Sequence, residues 1–162
     1  MVILPGVSQD KCLVLGFGSD ALSDDGLPVR LVHDLESFLN PDKFDFETSP
    51  VGGLELLELM KGYEKAFLID TQLSSRKKPG EISLFTPEHF EETFHLSSQH
   101  DLSFLDTIRL AKEMDIPFPK EIHILAIEIV ENKRLSFEFS KEIESIYKEV
   151  LTSISSLFIH LD

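Results

Sequence analysis

The sequence predicts an α/β fold, a three-layer sandwich in which a mostly parallel, twisted sheet of about five strands carries helices on both faces. Short continuous apolar runs are typical of strands buried on both faces, and the segments between them have helical apolar spacing. The length of 162 residues matches one domain of ordinary size. We therefore expect residues 1–162 to form a single domain whose core needs neither disulfides nor a structural metal.

Five segments have the pattern of a strand. Continuous apolar runs predict buried strands at residues 12–16, 66–69 and 121–130. Apolar side chains alternate with acidic ones from Phe44 to Glu47, which predicts another strand, and residues 81–85 resemble a short edge strand.

Helical spacing separates these strands. The last helix has the clearest pattern, with apolar residues repeating from Ile143 to Leu161 over five turns and Ser140 as the expected N-cap. Pro28 stands where a first-turn proline belongs. The other predicted helices cover residues 29–39, 54–60, 87–94 and 101–113.

Composition excludes several classes of protein. The chain has 29 acidic and 15 basic residues, a formal net charge of −14, which disfavours binding to nucleic acid and to anionic membrane surfaces. This charge suits a cationic or metal-bearing partner, although acidity is also a common route to solubility. We expect no membrane span and no signal peptide. The single cysteine, Cys12, excludes a disulfide framework or a Cys-rich zinc site and favours a cytoplasmic location.

Right-handed crossovers place the functional crevice of such a fold at the carboxyl ends of the strands. Three polar candidates follow strand or loop positions there: the pair Asp24–Asp25 after the first strand, Asp70 at the end of the run 66–69, and His100 before a helix. Taken singly, each has a simpler interpretation as a helix cap, a turn residue or a surface histidine. Taken together, two carboxylates and one imidazole are a reasonable ligand set for nickel or zinc.

Other catalytic patterns are not supported. The sequence contains neither a His-Glu-x-x-His zinc helix nor a Gly-x-Ser-x-Gly elbow. His89 and His95 are six residues apart, so we interpret them as surface residues. Cys12 begins a buried strand, away from the crevice, and we expect it to be inert.

A glycine-rich turn raises the possibility of nucleotide binding. Residues 16–21 satisfy the pattern G-x-G-x-x-A after a strand. A nucleotide-binding turn needs a helix that begins at the glycines, whereas Pro28 indicates a start about ten residues later. Aspartates would also occupy the place of the phosphates, which disfavours this interpretation.

Several segments resemble the hydrogenase maturation endopeptidases, the family that trims the C-terminus of the [NiFe]-hydrogenase large subunit. The resemblance rests on LVLGFGSDALSDDGLPVRLV, on AFLIDTQLSSRKKPGEISLF and on SSQHDLSFLDTIRLA. It continues through GGLELLELM, AIEIV and RLSFEFSKEIESIYKEVL, and so covers nearly the whole chain with similar spacing.

The resemblance implies a role for three residues. The metal-recognising positions of the family fall on Asp25, Asp70 and His100, which become the expected catalytic and metal-binding residues. The family implies no permanent cofactor, because the nickel belongs to the substrate, with zinc or cadmium as possible surrogates. The implied partner is the large-subunit precursor, and we expect the protease to act as a monomer. Either the nickel acts as Lewis acid on the scissile carbonyl or on water, or one carboxylate acts as general base.

The sequence also departs from the family pattern. Ser19 replaces the usual asparagine, Pro28 replaces a glycine, residues 49–51 replace a Gly-Gly-Thr segment, and Glu128-Ile129 keeps only part of a Glu-Pro pair. The alternative function is therefore that of a non-catalytic relative that binds a metal or a partner. A nucleotide-binding domain is a further alternative, less favoured than this one.

Overall fold

The computed structural model describes residues 10–50, 52–89, 93, 96 and 103–160. A five-stranded sheet lies at its centre. The strands, in chain order, are β1 (Cys12–Phe17), β2 (Phe44–Ser49), β3 (Lys65–Gln72), β4 (Ile82–Phe85) and β5 (Glu121–Glu128). Their spatial order is β2-β1-β3-β5-β4, with only β4 antiparallel to its neighbour. The mostly parallel sheet of the α/β prediction is confirmed.

In the described ranges of the chain, four helices cover the two faces of this sheet. They are α1 (Leu27–Phe38), α2 (Glu55–Met60), α3 (Phe104–Glu113) and α4 (Lys141–His160), with 3-10 turns at Ser23–Gly26 and Pro87–His89. Helices α1 and α4 pack on one face, and α2 and α3 pack on the other. Within the described ranges, no helix has both the length and the apolar character needed to cross a membrane.

The long helix α4 packs on the sheet, as its apolar spacing predicts. Phe158 meets Phe67 of β3 edge to face with 4.6 Å between ring centroids, and it meets Phe44 of β2 at 5.9 Å. Such aromatic pairs contribute about 0.5–1.5 kcal/mol beyond the area that they bury. The last turns of α4 are thereby fixed against β2 and β3.

The alternation of β1 divides its side chains between the two faces. Leu13, Leu15 and Phe17 pack toward α2 and α3, whereas Val14 packs toward α1 and α4. Gly16 shares the face of Val14, and a Cβ atom there would lie 2.7 Å from Val32 and 2.8 Å from the Pro28 carbonyl oxygen. The first turn of α1 therefore touches the strand directly.

Some boundaries differ from the prediction. Strand β3 extends through Gln72, so Asp70 lies inside the strand rather than directly after it. Pairing with β5 continues to the Gln72–Glu128 partners, so the strand extends beyond the apolar run into polar residues, which an apolar pattern does not reveal. The helix predicted at residues 87–94 is a 3-10 turn at Pro87–His89, and most of its remainder lies outside the described residues.

We expect Gly16→Ala to lower the free energy of unfolding by about 1–3 kcal/mol, because the added methyl overpacks the contact between β1 and α1. Urea denaturation followed by circular dichroism measures this change. Glu149→Ala, at an exposed position of α4, is the control and should stay within about 0.5 kcal/mol of the parent. Equal stability of Gly16→Ala and the parent would contradict the close contact.

Candidate active site

Asp25 lies in the 3-10 turn that connects β1 to α1 and is buried, with 1% of its surface exposed. Its Oδ2 atom accepts a hydrogen bond of 2.9 Å from the backbone N–H of Ser19. A Cβ atom on Gly18 would lie 1.9 Å from the Asp25 carbonyl oxygen. Glycine is therefore required at position 18 for the turn to fold back on the end of β1 and bring its carboxylate there.

Asp70 is fully buried inside β3. Its Oδ1 atom accepts the backbone N–H of Thr71 at 2.8 Å, and its Oδ2 atom accepts the hydroxyl of Thr93 at 2.7 Å. A buried carboxylate is costly unless donors or a cation compensate its charge. The bond from the Thr93 hydroxyl also ties that residue to the sheet.

Strand register brings the two carboxylates to the same end of the sheet. Strands β1 and β3 pair in parallel up to Gly16 and Ile69, so Phe17 and Asp70 are the next neighbours. The turn that holds Asp25 contacts the backbone just after Phe17. The structure thus assembles Asp25 and Asp70 at the carboxyl ends of adjacent strands, where the sequence predicts a crevice.

His100 lies outside the described residues. The described residues on either side of it are Leu96, whose carbonyl accepts the N–H of Phe104 at 3.4 Å, and Ser103, which caps α3 by accepting the N–H of Asp106 at 3.1 Å. Among the residues that the structure describes, no three His, Cys, Asp or Glu side chains lie close enough to hold a metal ion.

Asp24 has a different function from its neighbour. It is fully buried, and its oxygens accept the N–H groups of Ser140 at 2.7 Å, Val130 at 3.1 Å and Glu131 at 3.0 Å, together with the Ser140 hydroxyl at 2.8 Å. Acidic residues before α1 were expected to cap that helix, but Asp24 instead binds the residue that caps α4. The Asp24–Asp25 pair thus separates into a structural residue and a candidate site residue.

A fourth buried carboxylate, Glu128, ends β5 and was not among the predicted site residues. It accepts the backbone N–H groups of Ser74 at 2.9 Å and Ser75 at 2.8 Å, and also the Ser74 hydroxyl. Glu128 therefore holds the start of the basic loop 74–80 at the carboxyl end of the sheet. The partly retained Glu-Pro pair was the available signal, because it left a glutamate at the end of a buried strand.

The geometry also bears on nucleotide binding at the glycine turn and on the reactivity of Cys12. Helix α1 begins at Leu27, well after the glycine turn, and Asp25 packs against Gly18, where a phosphate would need open backbone. Cys12 stands at the start of β1, at the end of the sheet opposite Asp25. Strand β1 thus begins at Cys12 and helix α1 begins about ten residues after Gly16, as the sequence predicts.

We expect Asp24→Asn to lower the free energy of unfolding by about 2–4 kcal/mol, since the amide nitrogen would face N–H donors that the carboxylate now accepts. Chemical denaturation provides the measurement. Asp20→Asn, at an exposed position of the same loop, serves as the matched control and should leave stability nearly unchanged. A similar loss in both variants would show that Asp24 has no special structural role.

Glu128→Gln should make the 74–80 loop more sensitive to trypsin after Arg76 and Lys77. Losing one hydrogen bond to a charged group, about 1.5–3 kcal/mol, raises the population of the opened loop at least about tenfold. Intact mass spectrometry during limited proteolysis follows the cleavage, with the exposed Glu138→Gln variant as control. Unchanged cleavage at these two positions would rule out the anchoring role.

Comparisons with known proteins agree with this architecture. A family model described as hydrogenase maturation protease matches residues 29–156, a range that contains Asp70 and His100 but begins after Asp25. The hydrogenase 2 maturation protease of Escherichia coli strain K12 is 28% identical over 119 residues, which is 72% of each chain.

Solved structures show the same fold. The hydrogenase maturating endopeptidase HybD from E. coli aligns with a TM-score of 0.71 and 23% identity over 89% of each chain. The [NiFe] hydrogenase maturation protease HybD from Thermococcus kodakarensis aligns with a TM-score of 0.60 and 22% identity, over 91% of this chain and 98% of that one. Because the family model covers most of the chain, this protein belongs to the hydrogenase maturation proteases and is a peptidase.

Proposed function

We propose that this protease removes a C-terminal peptide from the nickel-loaded large subunit of a [NiFe] hydrogenase, and that nickel in the substrate is the feature it recognises. One observation carries the proposal: two buried carboxylates, Asp25 and Asp70, stand at the carboxyl ends of adjacent parallel strands. In α/β sheets this is the end where ligands bind.

The charge of the site supports a cationic ligand. Burying two carboxylates near each other is unfavourable in a medium of low dielectric constant, and a divalent ion that arrives with the substrate would offset this cost. The net charge of −14 favours the approach of such an ion over that of an anionic ligand. Substrate binding and charge compensation would then occur together.

His100 is the third proposed ligand. In the sequence it stands between Thr93, whose hydroxyl donates to Asp70, and Ser103, which caps α3. Imidazole and carboxylate ligands suit nickel, and they also suit zinc or cadmium as surrogates. The metal in this proposal belongs to the substrate, and the chain needs no permanent cofactor.

Two routes to peptide hydrolysis are compatible with these residues. Nickel in the substrate can polarise the scissile carbonyl or the attacking water. Alternatively, a carboxylate of the chain can accept the proton of that water. In both routes Asp25 and Asp70 orient the reacting centre. We further propose that the protease acts as a cytoplasmic monomer.

Replacing Asp25 or Asp70 by Asn, or His100 by Gln, should reduce processing of the nickel-loaded precursor at least about a hundredfold, because each change removes one ligand of the recognised ion. Mass spectrometry of the precursor, with a nickel-free precursor in parallel, detects the loss of the C-terminal peptide. The parent protein should cleave only the loaded form.

Matched control variants test whether the loss of processing is specific to the three site residues. Asp42→Asn and His160→Gln change the same residue types at exposed positions and should retain full activity, and circular dichroism checks that all variants fold. Retained cleavage in all three site variants would refute the residue assignment. Binding of the loaded precursor by the parent protein without loss of mass would instead indicate the non-catalytic alternative.

A further inference from the structure

Two apolar side chains are strongly exposed beside the candidate site. Leu135 and Phe137 are 83% and 74% exposed, the highest values for large apolar residues among those that the structure describes. Exposed apolar side chains that cluster at one place are typical of a surface that contacts a partner. Both belong to the loop between β5 and α4.

The backbone between these side chains is fixed to the turn that holds Asp25. The N–H of Ser136 donates to the Ala21 carbonyl at 2.9 Å, and the Ser136 carbonyl accepts the N–H of Ser23 at 2.8 Å, which forms a parallel bridge with Leu22. The apolar pair therefore projects from a supported backbone, and its support is the same turn that positions the carboxylate.

Basic residues precede the apolar pair. The Glu131 carboxylate accepts the N–H groups of Lys133 at 2.7 Å and Arg134 at 3.1 Å, and these bonds hold the pKa of Glu131 below its usual value. The turn places two exposed cationic residues next to Leu135 in a chain of net charge −14. A partner that carries acidic side chains beside apolar ones matches this surface.

We propose that Lys133, Arg134, Leu135 and Phe137 form a docking surface for the body of the large-subunit precursor, beside the peptide bond to be cut. This surface binds a segment of the precursor that has exposed apolar side chains flanked by acidic ones. The inference rests on the proposed function, because it takes its occupant from the substrate of that reaction.

The position of the surface favours the precursor over a second copy of the chain. A second copy seated on Leu135 and Phe137 would cover the turn of Asp25 and obstruct the substrate. By contrast, exposed apolar residues such as Phe38 and Ile159 lie at the C-terminal ends of α1 and α4, away from the carboxyl ends of the strands. They provide controls of similar chemistry at a different place.

The affinity for nickel-free precursor tests docking independently of cleavage. Biolayer interferometry with immobilised precursor should show a Kd at least about tenfold higher for the double variant Leu135→Ser/Phe137→Ser than for the parent. Phe38→Ser should bind like the parent, and thermal melts should show that both variants fold. With nickel-loaded precursor, the double variant should raise KM by a similar factor while kcat changes less than about twofold.

Each outcome separates docking from catalysis. Equal precursor affinity of the parent and the double variant overturns the docking surface, whatever happens to cleavage. Failure of the parent to bind the precursor overturns it as well. If the parent binds but does not cleave the loaded precursor, the proposed function fails, while weaker binding of the double variant still supports docking. If the parent is a dimer that the double variant dissociates with precursor affinity unchanged, the surface joins two copies and the proposal is wrong.

Discussion

The burial of carboxylates is the constraint on which the carboxyl end of this sheet depends. Asp24, Asp70 and Glu128 are each 1% exposed or less, and each is surrounded by backbone and hydroxyl donors. An ionised group in such a place is tolerated only when donors converge on it. The loops of this end are therefore ordered by charge-assisted hydrogen bonds, whereas the two faces of the sheet are ordered by apolar packing.

Local patterns predict the sheet well but predict its polar end poorly. The apolar runs at β1, β3 and β5 identify these strands because burial on both faces requires continuous hydrophobicity. Asp24 is different, since its donors at Val130 and Ser140 are 106 and 116 residues away. Local sequence spacing cannot reveal contacts over such distances. The sequence therefore suggests that Asp24 caps α1, whereas in the structure it binds Ser140, the residue that caps α4. The edge of the sheet near which Asp25 and Asp70 lie was predictable because parallel strands end at the same edge, although Asp70 lies inside β3 and not directly after it.

Two departures from the family pattern have a physical explanation. Ser19 reaches Asp25 through its backbone N–H, which any residue except proline supplies, so the usual asparagine is not needed for this bond. Pro28 lies in the first turn of α1, where its missing N–H costs nothing, and its carbonyl packs beside Gly16. At both positions the contact depends on the main chain, and a change of side chain leaves it in place.

The bond between Asp24 and Ser140 also determines when the site can be complete during synthesis. It joins residues 116 positions apart, and the turn that carries Asp25 is further bridged to Ser136. A chain emerging from the ribosome contains its first strand long before these partner residues have been synthesised. Contacts between such distant residues also require closing a long loop, which costs conformational entropy. The contacts that hold this turn to the loop after β5 can therefore form only once that loop has been synthesised.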